Sequence, residues 1–133
     1  MASILSRVSA PAQSAGMNAS TAKNTGITSE PFVVTRWRGA QHPNLSLVTQ
    51  RLVAEGLRPY RWHNGPHFRH APRSYRYSKV LYCVQGLLTV IFPDIGQEIT
   101  LYPGDRLDIA RGLRYAQIVG ATGVECVESE RTT

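Results

Sequence analysis

The apolar positions of this chain fall into short runs separated by turn residues, and the runs are densest between Lys79 and Tyr115. Lys79–Val84 and Leu87–Phe92 are rich in β-branched, aromatic and aliphatic residues, with Gln85-Gly86 between them. Runs of this kind bounded by turn residues predict strands. Pro93-Asp94-Ile95-Gly96 predicts a turn, Gln97–Leu101 an alternating strand, and Pro103-Gly104-Asp105 another turn. Arg106–Ala110 and Arg114–Val119 follow as strands around an Arg111-Gly112 turn. Gly120 to Gly123 predicts a further turn before a closing strand at Val124–Glu128. Short strands at this even spacing predict an all-β sandwich or barrel.

Upstream the period changes. Phe32–Trp37 predicts a first strand and Pro43–Glu55 the one helix. Pro43 suits the first helical position, where its missing N–H is not needed. Leu45, Val48, Leu52 and Val53 form an apolar stripe at helical spacing, and Gly56 suits the C-terminal cap. Arg58–His63 predicts a strand with Tyr60 and Trp62 on one face, broken by Asn64-Gly65-Pro66, whereas His67–Tyr77 shows no clear period. Residues 1-30 are rich in Ser, Ala, Thr and Asn without hydrophobic periodicity. They predict a disordered tail ahead of one domain over residues 31-130. A transit peptide is the alternative reading of the tail, against which stand its few arginines.

The net charge of +6 and pI of 9.8 add an attraction for anions. Arginine carries nearly all of it, since Lys23 and Lys79 are the only lysines. No apolar run approaches the ~20 residues of a membrane helix. The expectation is a cytoplasmic protein with no membrane partner. Cys83 and Cys126 lie in apolar strand patterns and are expected to be buried reduced thiols. They could pair only if their strands were neighbours.

The stretch from Arg58 to Glu128 resembles the cupin superfamily, in particular its small single-domain members. The second cupin motif is Gly, five residues, Pro-x-Gly, two residues, His, three residues, Asn. This chain offers Gly104, five residues, Ala110-Arg111-Gly112, two residues, Tyr115, three residues, Val119. The first motif is His-x-His, three or four residues, Glu, six residues, Gly; counting back from Gly86, Lys79 takes the Glu position and Arg73-Ser74-Tyr75 takes His-x-His. The glycines and the strand pattern fit, while every metal-ligand position departs. The resemblance implies an antiparallel jelly-roll β-barrel with one N-terminal helix, and a homodimer. Covering exposed strand edges is a physical motive for such a dimer.

In metal-binding cupins two histidines at i and i+2 project from one face of a strand, and a carboxylate and a third histidine join them from neighbouring strands. Here the corresponding positions hold Arg73, Tyr75, Lys79 and Tyr115. Arginine stays protonated and cannot ligate. The expectation is therefore a cupin-like domain with no metal and no other cofactor. The same four residues offer a guanidinium fork, an ammonium and two phenol hydroxyls, a set suited to a carboxylate, phosphate or sulfate. This makes them the candidate ligand-binding residues of a small-anion site. A structural or partner-binding module is the other side of that reading.

Two further classes compete. A metal-dependent or epimerase-like enzyme acting on a small organic or sugar substrate would use Tyr115 as an acid or base, or a zinc site at the closely spaced His63, His67 and His70, which have no Cys, Asp or Glu beside them to complete the shell. A nucleic-acid scaffold, a less favoured partner, would use the acid-free span between Glu55 and Asp94. There Arg58, Arg61, Arg69, Arg73, Arg76 and Lys79 interleave with Tyr60, Trp62, Phe68, Tyr75 and Tyr77. Asp94 and Asp105 sit in or after turns and are expected to bond nearby backbone N–H groups. Glu98 and Asp108, alternating with apolar neighbours, are expected to face solvent.

Overall fold

The spine of the fold is a pair of long antiparallel strands, β4 (Ser78–Phe92) and β7 (Tyr115–Arg131). They lie side by side from the Ser78–Arg131 pair to the Ile91–Ala116 pair. The structure is a computed structural model and describes residues 30–131; the expected tail lies almost wholly outside that range. The first half of β4 pairs with β6 (Arg106–Ile109), beyond which lies β1 (Phe32–Thr35), and its second half pairs with β5 (Gln97–Leu101). The first half of β7 pairs with β3 (Arg69–Arg73) and its second half with β2 (Tyr60–Asn64). All pairings are antiparallel. The main order is β1-β6-β4-β7-β2, with β3 and β5 off this path, so the ladder does not close on itself into a barrel.

Two positions expected as turns are bulges inside the spine. Gln85-Gly86 lies within β4, where the register against β7 shifts, and Gly120 to Gly123 lies within β7. The effect is a change of face. Before the bulge of β4 the core side chains are Leu81 and Cys83; after it they are Leu88, Val90 and Phe92. In β7 they are Tyr115 and Val119 before, and Val124 and Cys126 after. One inserted residue flips every later side chain to the other side. Gly86 and Gly123 meet at this corner, both at φ +84, and a Cβ on Gly86 would stand 2.0 Å from the Gly123 carbonyl oxygen.

The bend brings the two halves of the sheet face to face. Phe32 of β1 stacks on Phe92 at the far end of β4, ring centroids 4.3 Å apart. Leu81, Leu88, Leu101 and Leu107 are completely buried in the space between.

The outer face of the spine is covered by α1 (Leu45–Ala54). Val48 and Leu52 pack on Val80, Tyr82, Val84 and Val127. The helix begins two residues after Pro43, because the Asn44 side chain accepts from the Leu47 N–H at 2.8 Å and caps it. Val53, expected in the buried stripe, is 57% exposed. At the helix end, Glu55 pairs with Arg106 and Arg131, and Arg106 also pairs with Asp108. Asp108 is therefore half-covered by this network instead of facing freely into solvent. Asp105 is buried and accepts from Arg36, from the Trp37 N–H and from the Tyr102 N–H, which ties the end of β1 to the turn before β6.

β3 occupies the segment in which no element was legible. It is an edge strand whose register is broken between His70 and Arg73. That break accommodates Pro72, which has no N–H for a regular ladder. Cys83 and Cys126 are directly opposed on β4 and β7, both buried as free thiols. Hydrogen bonding between them and burial push the Cys126 thiol far up. Among the described residues, no helix is long and apolar enough to cross a membrane.

Candidate functional site

The inner face carries polar residues at one end of the core. Strand alternation puts Lys79 on the same side as Leu81 and Cys83, and Glu128 on the same side as Val124 and Cys126. The two meet there: the Lys79 ammonium lies 2.9 Å from Glu128 Oε2, with the side chains only 8% and 6% exposed. Glu128 also accepts from the Tyr60 hydroxyl at 2.6 Å and from the Trp62 indole N–H at 2.7 Å. A buried carboxylate with a cation and two neutral donors has its charge well satisfied.

Around Lys79 stands a wall of rings. Its ammonium is 4.0 Å from the Tyr75 ring centroid, 5.8 Å from that of Tyr115 and 6.0 Å from that of Tyr77. The Tyr75 ring lies 6.0 Å from Tyr115 and 5.4 Å from Tyr77. The Tyr75 carbonyl accepts from the Gly112 N–H at 2.8 Å, which fixes this loop against the turn before β7. Arg73 is the register partner of Tyr115 and holds its guanidinium 5.8 Å from the Tyr75 ring centroid. It is exposed, and it makes no ion pair among the described residues.

The four residues singled out at the cupin motif positions are thus brought together. Their charge balance differs from the expected one, because Glu128 neutralises Lys79. The sequence reading did not single out Glu128 as a site residue. Its signal was the two-residue spacing Val124, Cys126, Glu128, which continues an inward series.

Burial alone would lower Lys79; the Glu128 carboxylate, helped by Tyr115, more than offsets it, so Lys79 is held firmly as a cation. Burial pushes the Tyr115 hydroxyl up to about 12, against the opposing pull of Lys79. Tyr60 is raised by burial and by its bond to Glu128. At neutral pH Tyr60 and Tyr115 keep their protons, and Tyr115 is not poised as a base.

The histidines separate. His63 is exposed on β2, opposite Glu125, and His67 is exposed in the following turn at φ 62. Only His70 points inward. It sits 6.0 Å from the Trp62 ring centroid and 4.8 Å from that of Phe68, and shares a 2.8 Å hydrogen bond between its Nε2 and the Asn64 Nδ2. Burial lowers its pKa, in competition with Glu128, which raises it. The donor set at the cupin positions does not fit a transition metal: a guanidinium and a paired ammonium offer no lone pair. Among the described residues no three His, Cys, Asp or Glu side chains gather as a metal shell.

Solved structures share this architecture. The polyketide cyclase RemF from Streptomyces resistomycificus superposes with a TM-score of 0.51 at 17% identity, over 56% of this chain and 54% of the cyclase. The chain thus spans about half of the cyclase's length. A DUF861 family protein from Thermotoga maritima gives a TM-score of 0.50 at 16% identity, over 75% of this chain and 99% of that one. A cupin superfamily protein from Desulfitobacterium hafniense gives 0.50 at 11% identity, over 82% and 84%. No protein-family model and no curated protein matches the sequence.

Proposed function

Taking the chain as a small cupin-fold protein, we propose that it binds a small organic anion with a flat ring, at the end of the inner face where Arg73 meets Tyr75, Tyr77 and Tyr115. The observation that carries this is the division of labour between the two cations. Lys79 is spent on Glu128, whereas Arg73 is exposed, shares the inner face with Tyr115 and makes no ion pair among the described residues. A guanidinium in that setting takes a carboxylate in a two-point grip, and the tyrosine rings supply a surface for an aromatic body.

This site needs neither a metal nor any other cofactor. Catalysis is the weaker reading, since Tyr115 keeps its proton at neutral pH and the nearest cation is locked in a pair. The jelly-roll closure and the homodimer implied by the family resemblance are part of this proposal, with the dimer covering the edges at β1 and β2.

Calorimetric titration at low ionic strength tests it, with benzoate against benzamide as the matched pair. Benzoate is expected to bind and benzamide to bind at least about tenfold more weakly. Arg73→Ala should abolish the preference and Arg73→Lys should keep part of it. Equal binding of the two compounds, or an Arg73→Ala variant that behaves like the parent, would sink the proposal.

A further inference from the structure

The inner face holds one polar side chain with no partner. Gln117 lies on β7 between Tyr115 and Val119, both core residues, and opposite Val90, another core residue. It is 92% buried, being only 8% exposed, and its carboxamide makes no hydrogen bond among the described residues. Buried amides are nearly always paired, and an unpaired one costs stability. On β4 and on its own strand its neighbours on this face are Val90, Val119 and Tyr115, and it bonds to none of them.

The surroundings point to what would pair it. Directly across on β3 stands His70, its register partner on the same face. With Asn64 donating to its Nε2, the neutral imidazole carries its proton on Nδ1. Gln117 and His70 therefore present an amide carbonyl, an amide N–H2 and a ring N–H, all uncharged. The Arg73–Tyr115 pair lies on the same two strands, and Gln117 stands two positions along β7 from Tyr115, roughly 7 Å away.

We propose that Gln117, with His70, is a second recognition point for the anion of the preceding section, reading an uncharged hydrogen-bonding group at the far end of the ligand. This rests on the anion reading and narrows it. The ligand class is a ring-bearing acid that carries a hydroxyl or carbonyl across the ring from its carboxylate. Gln117 is a specificity residue. Its unmatched amide is the part of the site that a plain aromatic acid leaves unsatisfied.

The test uses benzoate and 4-hydroxybenzoate on the full chain, with Gln117→Leu and, as a second variant of closer length, Gln117→Met. The parent is expected to bind 4-hydroxybenzoate about tenfold more tightly than benzoate. Both variants should level the two acids by removing the gain from the hydroxyl, and their melting temperatures without ligand should equal or exceed that of the parent. If benzoate binds but the hydroxyl adds nothing, or the variants keep the advantage, this inference fails and the anion site stands. If neither acid binds, the anion site falls and this inference with it. A large drop in melting temperature for both variants would mean that the amide has a structural partner, which also overturns the inference.

Discussion

Lys79 and Glu128 form an ion pair 2.9 Å long between the two central strands, in the same half of the spine on one side of the bulged corner, with both side chains less than a tenth exposed. Each charge there depends on the other. Removing one leaves the other buried and uncompensated, a change that costs about 3–5 kcal/mol. Glu128→Gln keeps an oxygen for Tyr60 and Trp62 but removes the counter-charge, so its urea-unfolding free energy should fall by about that amount. The double variant Lys79→Met with Glu128→Gln should recover most of the loss. A double variant as unstable as the single one would show that Lys79 matters for something other than Glu128.

Alkaline pH should weaken the fold through the same cluster. Tyr115 is raised from 10.0 to about 12 in the folded chain. A raised folded-state pKa gives stability that is full below the unfolded value and is lost as pH rises to the folded one. The decline from Tyr115 therefore falls between about 10 and about 12. Lys79, also raised above its ordinary 10.5, acts in the same direction. The urea midpoint should be level up to about pH 9.5 and then drop, and Tyr115→Phe should drop less steeply. An identical slope for the variant would exclude Tyr115 as a source.

The corner glycine is the most restrictive backbone position of the site. At Gly86 a side chain must adopt φ +84 and approaches the Gly123 carbonyl, a backbone atom that cannot swing away. Gly86→Ala should cost more than about 1 kcal/mol. If the bend itself is disturbed, Lys79 and Glu128 will no longer share a face with the second-half core. Tyrosine absorbance would report this as a return of the Tyr115 titration toward 10.0.

The opposed thiols give a check on burial. Cys83 and Cys126 are both 0% exposed, and the Cys126 thiol is pushed far up. Neither should react with a thiol reagent such as Ellman's in the native protein near neutral pH, and both should react once the chain is unfolded in urea. Fast modification of a native thiol would contradict the packing of the two central strands.

Much of the fold was legible in the chain. Period-two alternation marked β5, and apolar runs bounded by turn residues marked β6 and both halves of β4 and β7. Helical spacing, Pro43 and Gly56 marked α1, whose start the Asn44 cap moves to Leu45. The glycine spacing pointed to the cupin fold, and the motif register selected Arg73, Tyr75, Lys79 and Tyr115, which the structure draws together. What local pattern could not supply was whether a glycine ends a strand or bends it. Gln85-Gly86 has the composition of a turn, yet β4 continues, since β7 offers a partner along its whole length. That choice belongs to the pairing, a non-local interaction. β3 was invisible for the same reason: its Arg, His and Pro residues show no alternation, and only the open edge of β7 makes it a strand.

Charge assignment divides in the same way. The sequence by itself determined which ionisable residues exist, and that the span from Glu55 to Asp94 holds cations without acids. Only the tertiary structure decided that Glu128, distant along the chain, turns inward to neutralise Lys79, and that Arg73 keeps its charge at the rim. It also decided that Gln117 is buried without a hydrogen-bond partner among the described residues. The physical reason is that the parity of a strand is set by its bulges and its neighbours, and parity decides which polar side chains are carried into the core.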